Sequence, residues 1–300
     1  MGLLPVVLFG AVVTFLHLRA ERAEAAVGTA GSPVVLVLSP DHGRELSRDE
    51  QRELAELLGA DSGLAVEVRV AGSPLDAIEA FGGRADVGLC NLFEYLLARE
   101  HYGVRARLRA LREGAAAAYA GEILVRSDSP VTSLAELGGR TLAYVDPFST
   151  SGFVFPARLV AAAGARVVPE FAGSHTEALA RLRAGRVDAA ATFVGAAGAD
   201  SGLRALARTD DIPNEPVFFR AGLAPAKAER LVAALLGLAG TTEGRRLLAK
   251  IAGVTGFEPV RDDAYADALA AIRAAGKTVY DVVPEGVWID AQRRNIDYVP

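Results

Sequence analysis

The sequence predicts an α/β protein built as two lobes, and three observations carry that expectation. Short apolar runs at 34–38 and 66–70 alternate with segments of helical period, the pattern of buried parallel strands covered by helices. The segment Gly83-Arg84-Ala85-Asp86-Val87-Gly88 is echoed by Gly185-Arg186-Val187-Asp188-Ala189-Ala190. Each copy follows a helix opened by a serine with an acid three residues on, Ser73/Asp76 and Ser174/Glu177, so two halves of similar local topology are the natural inference. A chance likeness of two helix-to-strand joints fits as well, because serine caps and glycine stops are common.

Composition narrows the function classes. The chain of 300 residues holds one large domain or two moderate ones. Its net charge of −5, with four histidines and no dense basic cluster, offers no electrostatic footprint for nucleic acid. The single cysteine, Cys90, excludes an internal disulfide and any multi-cysteine metal site. In Val87-Gly88-Leu89-Cys90 it reads as a small buried apolar residue, since a catalytic thiol needs a base and no motif joins it to His101. No metal and no cofactor are expected.

Residues 2–18 are apolar and are followed by Arg19-Ala20-Glu21-Arg22-Ala23-Glu24-Ala25-Ala26. The length is borderline for a membrane span, the basic front of a signal peptide is missing, and Ala23-Glu24-Ala25 is a passable cleavage site. Signal and anchor both remain open for 1–32, which ends in a Gly/Ala/Ser-rich spacer, and both put the folded part outside the cytoplasmic membrane. Strand 34–38 stops at Ser39-Pro40, and Ser47-Arg48-Asp49-Glu50 is a capping box opening a helix with Leu54, Leu57 and Leu58 on one face. Strand 66–70 leads to a helix near Ser73-Pro74, where proline is tolerated in the first turn.

A strand at 122–125 precedes the turn Ser127-Asp128-Ser129-Pro130, and a matching apolar strand at 217–219 follows Ile212-Pro213-Asn214-Glu215-Pro216. These two are taken as the crossings between lobes. Lobe one is then 33–120 plus 217–300, and lobe two is 121–216. Helical periods occupy 227–238, 242–251 and 262–275, and the tail 276–300 has none, leaving Trp288 and Tyr298 to dock onto lobe one.

Chemistry gathers in Asp146-Pro147-Phe148-Ser149-Thr150-Ser151-Gly152, between a strand at 141–145 and a helix start. Hydroxyls and free backbone N–H groups at such a point suit a small oxyanion, and they suit plain helix capping equally. Pro156 lacks an N–H and predicts an irregular first turn. By themselves Tyr119 reads as a core or hinge aromatic, His175 as a first-turn surface residue, Asp146 as a turn-builder, and Asp86 and Asp188 as strand starts. Glu215, between prolines, reads either as an exposed loop acid or as the partner of an ammonium group.

The string 145–153 with Pro156 resembles the signature of the phosphate/phosphite/phosphonate-binding proteins of ABC importers. So do Tyr119-Ala120-Gly121-Glu122 ahead of Asp128-Ser129-Pro130, Gly173-Ser174-His175 with Asp188 thirteen residues on, and Ile212-Pro213-Asn214-Glu215-Pro216. The resemblance runs in order from about Val34 to Ala275 and implies the type II periplasmic binding-protein fold, two α/β lobes joined by two crossing strands around a ligand cleft. It implies that Ser149, Thr150 and Ser151 hold phosphorus-bound oxygens, that His175 adds a ring N–H, that Tyr119 is a hydroxyl donor near the crossing, and that Glu215 sits where an acid meets an aminated ligand. Gly195 stands where a second acid is expected and Ser73 where a tyrosine is usual, so phosphite, phosphate or methylphosphonate is the safer expectation. The implied protein is a monomer that delivers a phosphorus oxyanion to an ABC permease and is not an enzyme. A ligand sensor for a membrane signalling partner is the alternative, and an enzyme on the same architecture the weaker one, for want of a nucleophile–base–orienter set.

Overall fold

The computed structural model describes residues 14–15, 18–19, 21–83, 85–198 and 202–266. Most of the apolar segment 2–18, the helix expected at 262–275 beyond residue 266, and the tail with Trp288 and Tyr298 lie outside these. Among the described residues no helix is long and apolar enough to cross a membrane.

The first part of the chain runs β1 (Val34–Leu38), α1 (Pro40–Gly43), α2 (Arg48–Ser62), β2 (Val66–Val70), α3 (Pro74–Glu79), β3 (Val87–Leu89), α4 (Leu92–Tyr102) and β4 (Arg105–Leu111). The middle part runs β5 (Ala118–Arg126), β6 (Thr141–Tyr144), α5 (Phe155–Ala162), β7 (Val168–Phe171), α6 (His175–Arg183), β8 (Ala189–Phe193) and β9 (Leu203–Pro213). The chain then returns through β10 (Pro216–Phe219), α7 (Pro225–Gly237), α8 (Thr242–Ala249) and β11 (Gly256–Pro259). Two sheets result, ordered β11-β4-β10-β3-β1-β2 and β7-β6-β8-β5-β9.

The expected parallel strands are β1 with β2 and β3, and β6 with β7 and β8. Strands that have come through a crossing, β10 in the first sheet and β5 in the second, pair antiparallel beside β3 and β8. Every residue of β1 is buried, which is why its sequence shows no alternation. The capping box of α2 is complete, with Ser47 and Glu50 each accepting from the other's backbone, and Leu54 and Leu58 fill the core beneath it.

The internal echo is a shared joint. Ser73 Oγ accepts from Asp76 N at 3.1 Å and Ser174 Oγ from Glu177 N at 3.1 Å. Asp86 Oδ2 accepts from Val35 N at 2.9 Å, and Asp188 Oδ2 accepts from Thr141 N at 2.9 Å. In each half the aspartate pins the entry of the neighbouring parallel strand, satisfying a donor that the ladder leaves open.

The chain leaves the first sheet after Leu111, enters the second at Ala118, and comes back between Pro213 and Pro216. Fully buried Asn214 ties these passages together. Its Nδ2 donates to Ala110 O at 3.0 Å and to Ala116 O at 2.8 Å, its N–H donates to Ala117 O, and its carbonyl accepts from the Tyr265 hydroxyl at 3.1 Å. The halves also touch through apolar contact: Phe148 and Val154 belong to the cluster of Phe93, Tyr95 and Phe218, and Phe155 meets Phe93 edge-on at 6.3 Å. Asn214→Ala, which orphans two carbonyls between the sheets, is expected to lower the unfolding free energy by about 2–3 kcal/mol; urea titration of the purified variant checks it.

Candidate functional site

Helices α5 and α6 pack on opposite faces of the second sheet but start at the carboxyl ends of the adjacent parallel strands β6 and β7, so their N-termini share that end of the sheet. The loop before α6 runs along the end of β6, with Ala172 N donating to Tyr144 O and Gly173 N to Val145 O at 2.7 Å. His175 therefore opens α6 beside the turn that follows β6.

That turn is tightly specified. Asp146 Oδ1 accepts from Phe148 N at 2.8 Å, the expected turn-building role. Ser149 is the N-cap, its Oγ accepting from Gly152 N at 3.1 Å, and Thr150–Val154 form one wide π turn closed by Val154 N donating to Ser149 O at 3.0 Å. Regular helix begins only at Phe155, with Pro156 in its first turn, so the start is irregular as the missing N–H predicts. Gly152 is required because a Cβ there would strike the Val145 side chain, and Gly121 because a Cβ would lie 2.9 Å from Ser151 O. Strand β5 thereby packs directly against the hydroxyl turn.

The three hydroxyl residues are all buried, and their roles differ. Ser149 is a helix cap, the plainer of the two readings. Thr150, 2% exposed, has an Oγ1 that makes no hydrogen bond of normal geometry among the described residues, although the Tyr119 phenol lies near enough to feel it. An unsatisfied buried hydroxyl costs about 1–3 kcal/mol. Tyr119, on β5, lies close enough to Thr150 and Ser151 for their hydroxyls to act on its phenol. Burial, reinforced by the Glu215 carboxylate, pushes that phenol well above its ordinary range, so it stays a neutral donor.

His175 is half-buried, its Nδ1 2.9 Å from Thr192 Oγ1 and its ring edge-on to Phe193 at 5.0 Å. Burial, with the Arg44 charge acting the same way, brings its pKa down to about 4, so the ring is neutral at pH 7. When the Thr192 hydroxyl donates to Nδ1, the proton resides on Nε2, which is then a donor. Thr192, fully buried, is a positioning residue that the sequence reading missed.

Glu215 is not an exposed loop acid. It is 6% exposed, and each of its oxygens is already engaged: Oε2 with Arg112 Nη1 at 2.7 Å and Oε1 with His42 Nε2 at 3.5 Å. Burial alone would raise its pKa, yet hydrogen bonding to His42 and the Arg112 charge hold it well below the usual range. His42 Nδ1 meets Ser39 Oγ at 2.8 Å, and the Arg112 guanidinium lies over the Tyr119 ring at 5.8 Å. A polar chain thus runs from the end of β1 through both crossings to Tyr119. Arg112 and Glu215 are 103 positions apart and no local signal links them. At Gly195 the backbone amide donates to Glu122 Oε1 at 3.3 Å, so a carboxylate from β5 reaches the position that lacks its own.

The other wall is the N-terminus of α4. Asn91 Oδ1 accepts from Phe93 N and Glu94 N, and Glu94 Oε2 accepts from Asn91 N at 2.7 Å, a capping box readable in Asn91-Leu92-Phe93-Glu94 that the sequence reading passed over. Cys90, beside it, is buried as expected, and burial followed by the Glu94 charge pushes its thiol well up, which removes it as a nucleophile.

A family model for the ABC transporter, phosphonate, periplasmic substrate-binding proteins matches residues 36–265. No curated protein sequence matches the chain significantly. Among solved structures it is similar to PhnD1 from Prochlorococcus marinus in complex with methylphosphonate, with a TM-score of 0.67 at 17% identity over 81% of this chain and 98% of that one. A Xanthomonas citri protein bound to chloride superposes with a TM-score of 0.65 at 21% identity, covering 87% of this chain and 99% of its own. A binding protein component of an ABC phosphonate transporter from Pseudomonas aeruginosa gives 0.63 at 15% identity, covering 87% and 95%. These likenesses establish the type II periplasmic binding-protein fold.

Because the His175 ring has a folded pKa of about 4 against an ordinary 6.5, the unfolded chain binds its proton first as the medium is acidified. His175 stabilises the fold fully above pH 6.5 and loses that contribution as pH falls from 6.5 through 4, by about 2–3 kcal/mol. His175→Gln is expected to flatten that part of the pH dependence, read as the urea midpoint of variant and parent from pH 7 to about 4.

Proposed function

Since the chain belongs to the phosphonate-binding periplasmic substrate-binding proteins of ABC transporters, we propose that the turn after β6 captures the phosphorus-bound oxygens of its ligand. Members of this family are transport proteins that work outside the cytoplasm and are not enzymes. The observation that carries the site assignment is the buried Thr150 hydroxyl without a partner, in a turn flanked by neutral His175 and by Tyr119.

The roles follow from donor chemistry. Thr150 and Ser151 donate hydroxyl hydrogens, the amides at the wide π turn add backbone donors, Tyr119 donates its phenol hydrogen, and His175 donates from Nε2. Ser149 keeps its cap and holds the turn in shape. None of these donors carries a charge, so a tetrahedral oxyanion exchanges its water shell for fixed dipoles. Hydrogen bonds to a charged group contribute about 1.5–3 kcal/mol each. Four of them, less the costs of ordering and lobe closure, leave about −8 kcal/mol, corresponding to micromolar binding.

The lobes that close are 33–120 with the C-terminal part from 217, and 121–216, hinged where Asn214 holds the two passages. The closed monomer then hands its ligand to the permease of an ABC importer, and residues 1–32 carry it out of the cytoplasm or hold it at the membrane. Methylphosphonate is the first probe, because the similar Prochlorococcus protein was solved with it. Isothermal titration is expected to give micromolar binding, and no heat with phosphite, phosphate, methylphosphonate or 2-aminoethylphosphonate at millimolar concentration overturns the assignment.

Thr150→Val separates binding from folding. It replaces an unsatisfied buried hydroxyl with a methyl group, so the ligand-free protein should be as stable as the parent or more so. Methylphosphonate affinity should fall by about tenfold to a hundredfold, one hydrogen bond to a charged group. Titration calorimetry and thermal melting of the same sample check both signs.

A further inference from the structure

Glu94, like Thr150 and Asn214, is a buried polar side chain at the seam with an unpaired atom. It is 1% exposed, and while Oε2 closes the capping box with Asn91 N, Oε1 has no hydrogen-bond partner. Its neighbour Phe93 touches Phe155 from the opposite lobe, which places the start of α4 at the seam. The groups acting on its carboxyl come from both sides: Ser39 at the end of β1, His42 in α1 and Asn91 in its own cap, and Asp146 from the turn after β6. Cys90, also adjacent, is uncharged.

The cations nearby are committed elsewhere. Arg112 and His42 both meet Glu215, and Arg44 pairs with Asp41. Glu94 thus brings to this wall of the cleft a buried carboxylate oxygen that none of the described side chains hydrogen-bonds, with the Asp146 carboxyl facing it from the turn after β6. An oxyanion pressed against it would be repelled, whereas a nitrogen-borne cation would satisfy Oε1 and neutralise the wall. Glu215, which the sequence marks as the acid for such a group, has both oxygens occupied, and position 195 has no side chain.

Resting on the oxyanion assignment above, we propose that Glu94 is a specificity-determining residue: its free Oε1 accepts a hydrogen bond from an ammonium group carried by the ligand's substituent, opposite the phosphorus end held by Thr150. Burial lifts its carboxyl to about 7, with Asp146 acting in the same direction against His42, Asn91 and Ser39, so the residue changes charge near neutrality. Capture of a cationic substituent needs the carboxylate, and selectivity for it therefore rises from pH 6 to pH 8. A ligand without the cation gains nothing from that change at Glu94.

The test compares 2-aminoethylphosphonate with methylphosphonate on the full chain and on Glu94→Gln, which keeps an oxygen for the Asn91 amide and so preserves the cap. At pH 8 the variant should lose about tenfold or more in affinity for the aminated ligand, the scale of one charge-assisted bond, and change less than about threefold for methylphosphonate. The ratio of variant to parent dissociation constants for the aminated ligand should grow between pH 6 and pH 8, a comparison in which the ligand's own titration cancels. Equal losses for both ligands, or no loss for either, overturn the role of Glu94 and leave the oxyanion site standing. Binding of neither ligand by the parent overturns the oxyanion site and Glu94 together. Should the variant melt well below the parent, the parent alone decides once each ligand's affinity is corrected for the ionisation of its own phosphonate group: a preference for the aminated ligand that grows from pH 6 to pH 8 supports the role, and a flat or reversed preference overturns it.

Discussion

A buried hydroxyl without a hydrogen-bond partner among the described residues is the constraint around which this site is arranged. Thr150 Oγ1 is buried in the turn after β6, against which β5 packs so closely at Gly121 that a Cβ there would lie 2.9 Å from Ser151 O. Such a group is a cost to the empty protein and a gain once an acceptor arrives. Placed between two helix starts, with a phenol and a neutral imidazole from the same lobe, it would under the proposed assignment turn a local instability into a preorganised anion site. Neutral donors serve this purpose better than arginine or lysine would, because they bind without forming an ion pair that closure would have to desolvate.

The polar chain Ser39–His42–Glu215–Arg112 explains how the site stays connected to the first sheet. Its members come from the end of β1, from α1, and from the two passages between sheets, and they end with the guanidinium over Tyr119. A buried ion pair of this kind stabilises little on its own, but removing one partner leaves a bare charge in the interior. Its value here is positional. Glu215 holds Arg112, Arg112 holds the ring of Tyr119, and the phenol is thereby fixed against the hydroxyl turn. Asn214, next to Glu215, performs the same service for the backbone by bonding three carbonyl or amide groups from the opposite passage.

The two walls of the cleft differ in charge logic. On the β6 side the donors are neutral and the one carboxylate, Asp146, is turned to its own backbone. On the α4 side the free atom is a carboxylate oxygen of Glu94. That asymmetry gives the cleft a direction, so that a ligand with unlike ends has one favourable orientation. Under the proposed roles, recognition of the substituent is separated from recognition of the oxyanion, and one can vary while the other is kept.

Much of this was legible in the chain itself. Apolar runs marked the buried strands, serine–acid pairs marked helix starts, and the repeated Gly-Arg-x-Asp joint marked two halves of like construction, because each of these depends on neighbours a few positions apart. The hydroxyl turn and the irregular helix start at Pro156 were legible for the same reason. What only the tertiary structure decided is which polar atoms are already satisfied. Glu215 is consumed by Arg112 from 103 positions away, His175 Nδ1 is met by Thr192 of β8, and Glu94 and Thr150 each retain an unpaired oxygen. Hydrogen-bond partners at such separations are set by sheet order and lobe contact, which local sequence does not encode, and so the sequence could name the candidates while the fold assigned their work.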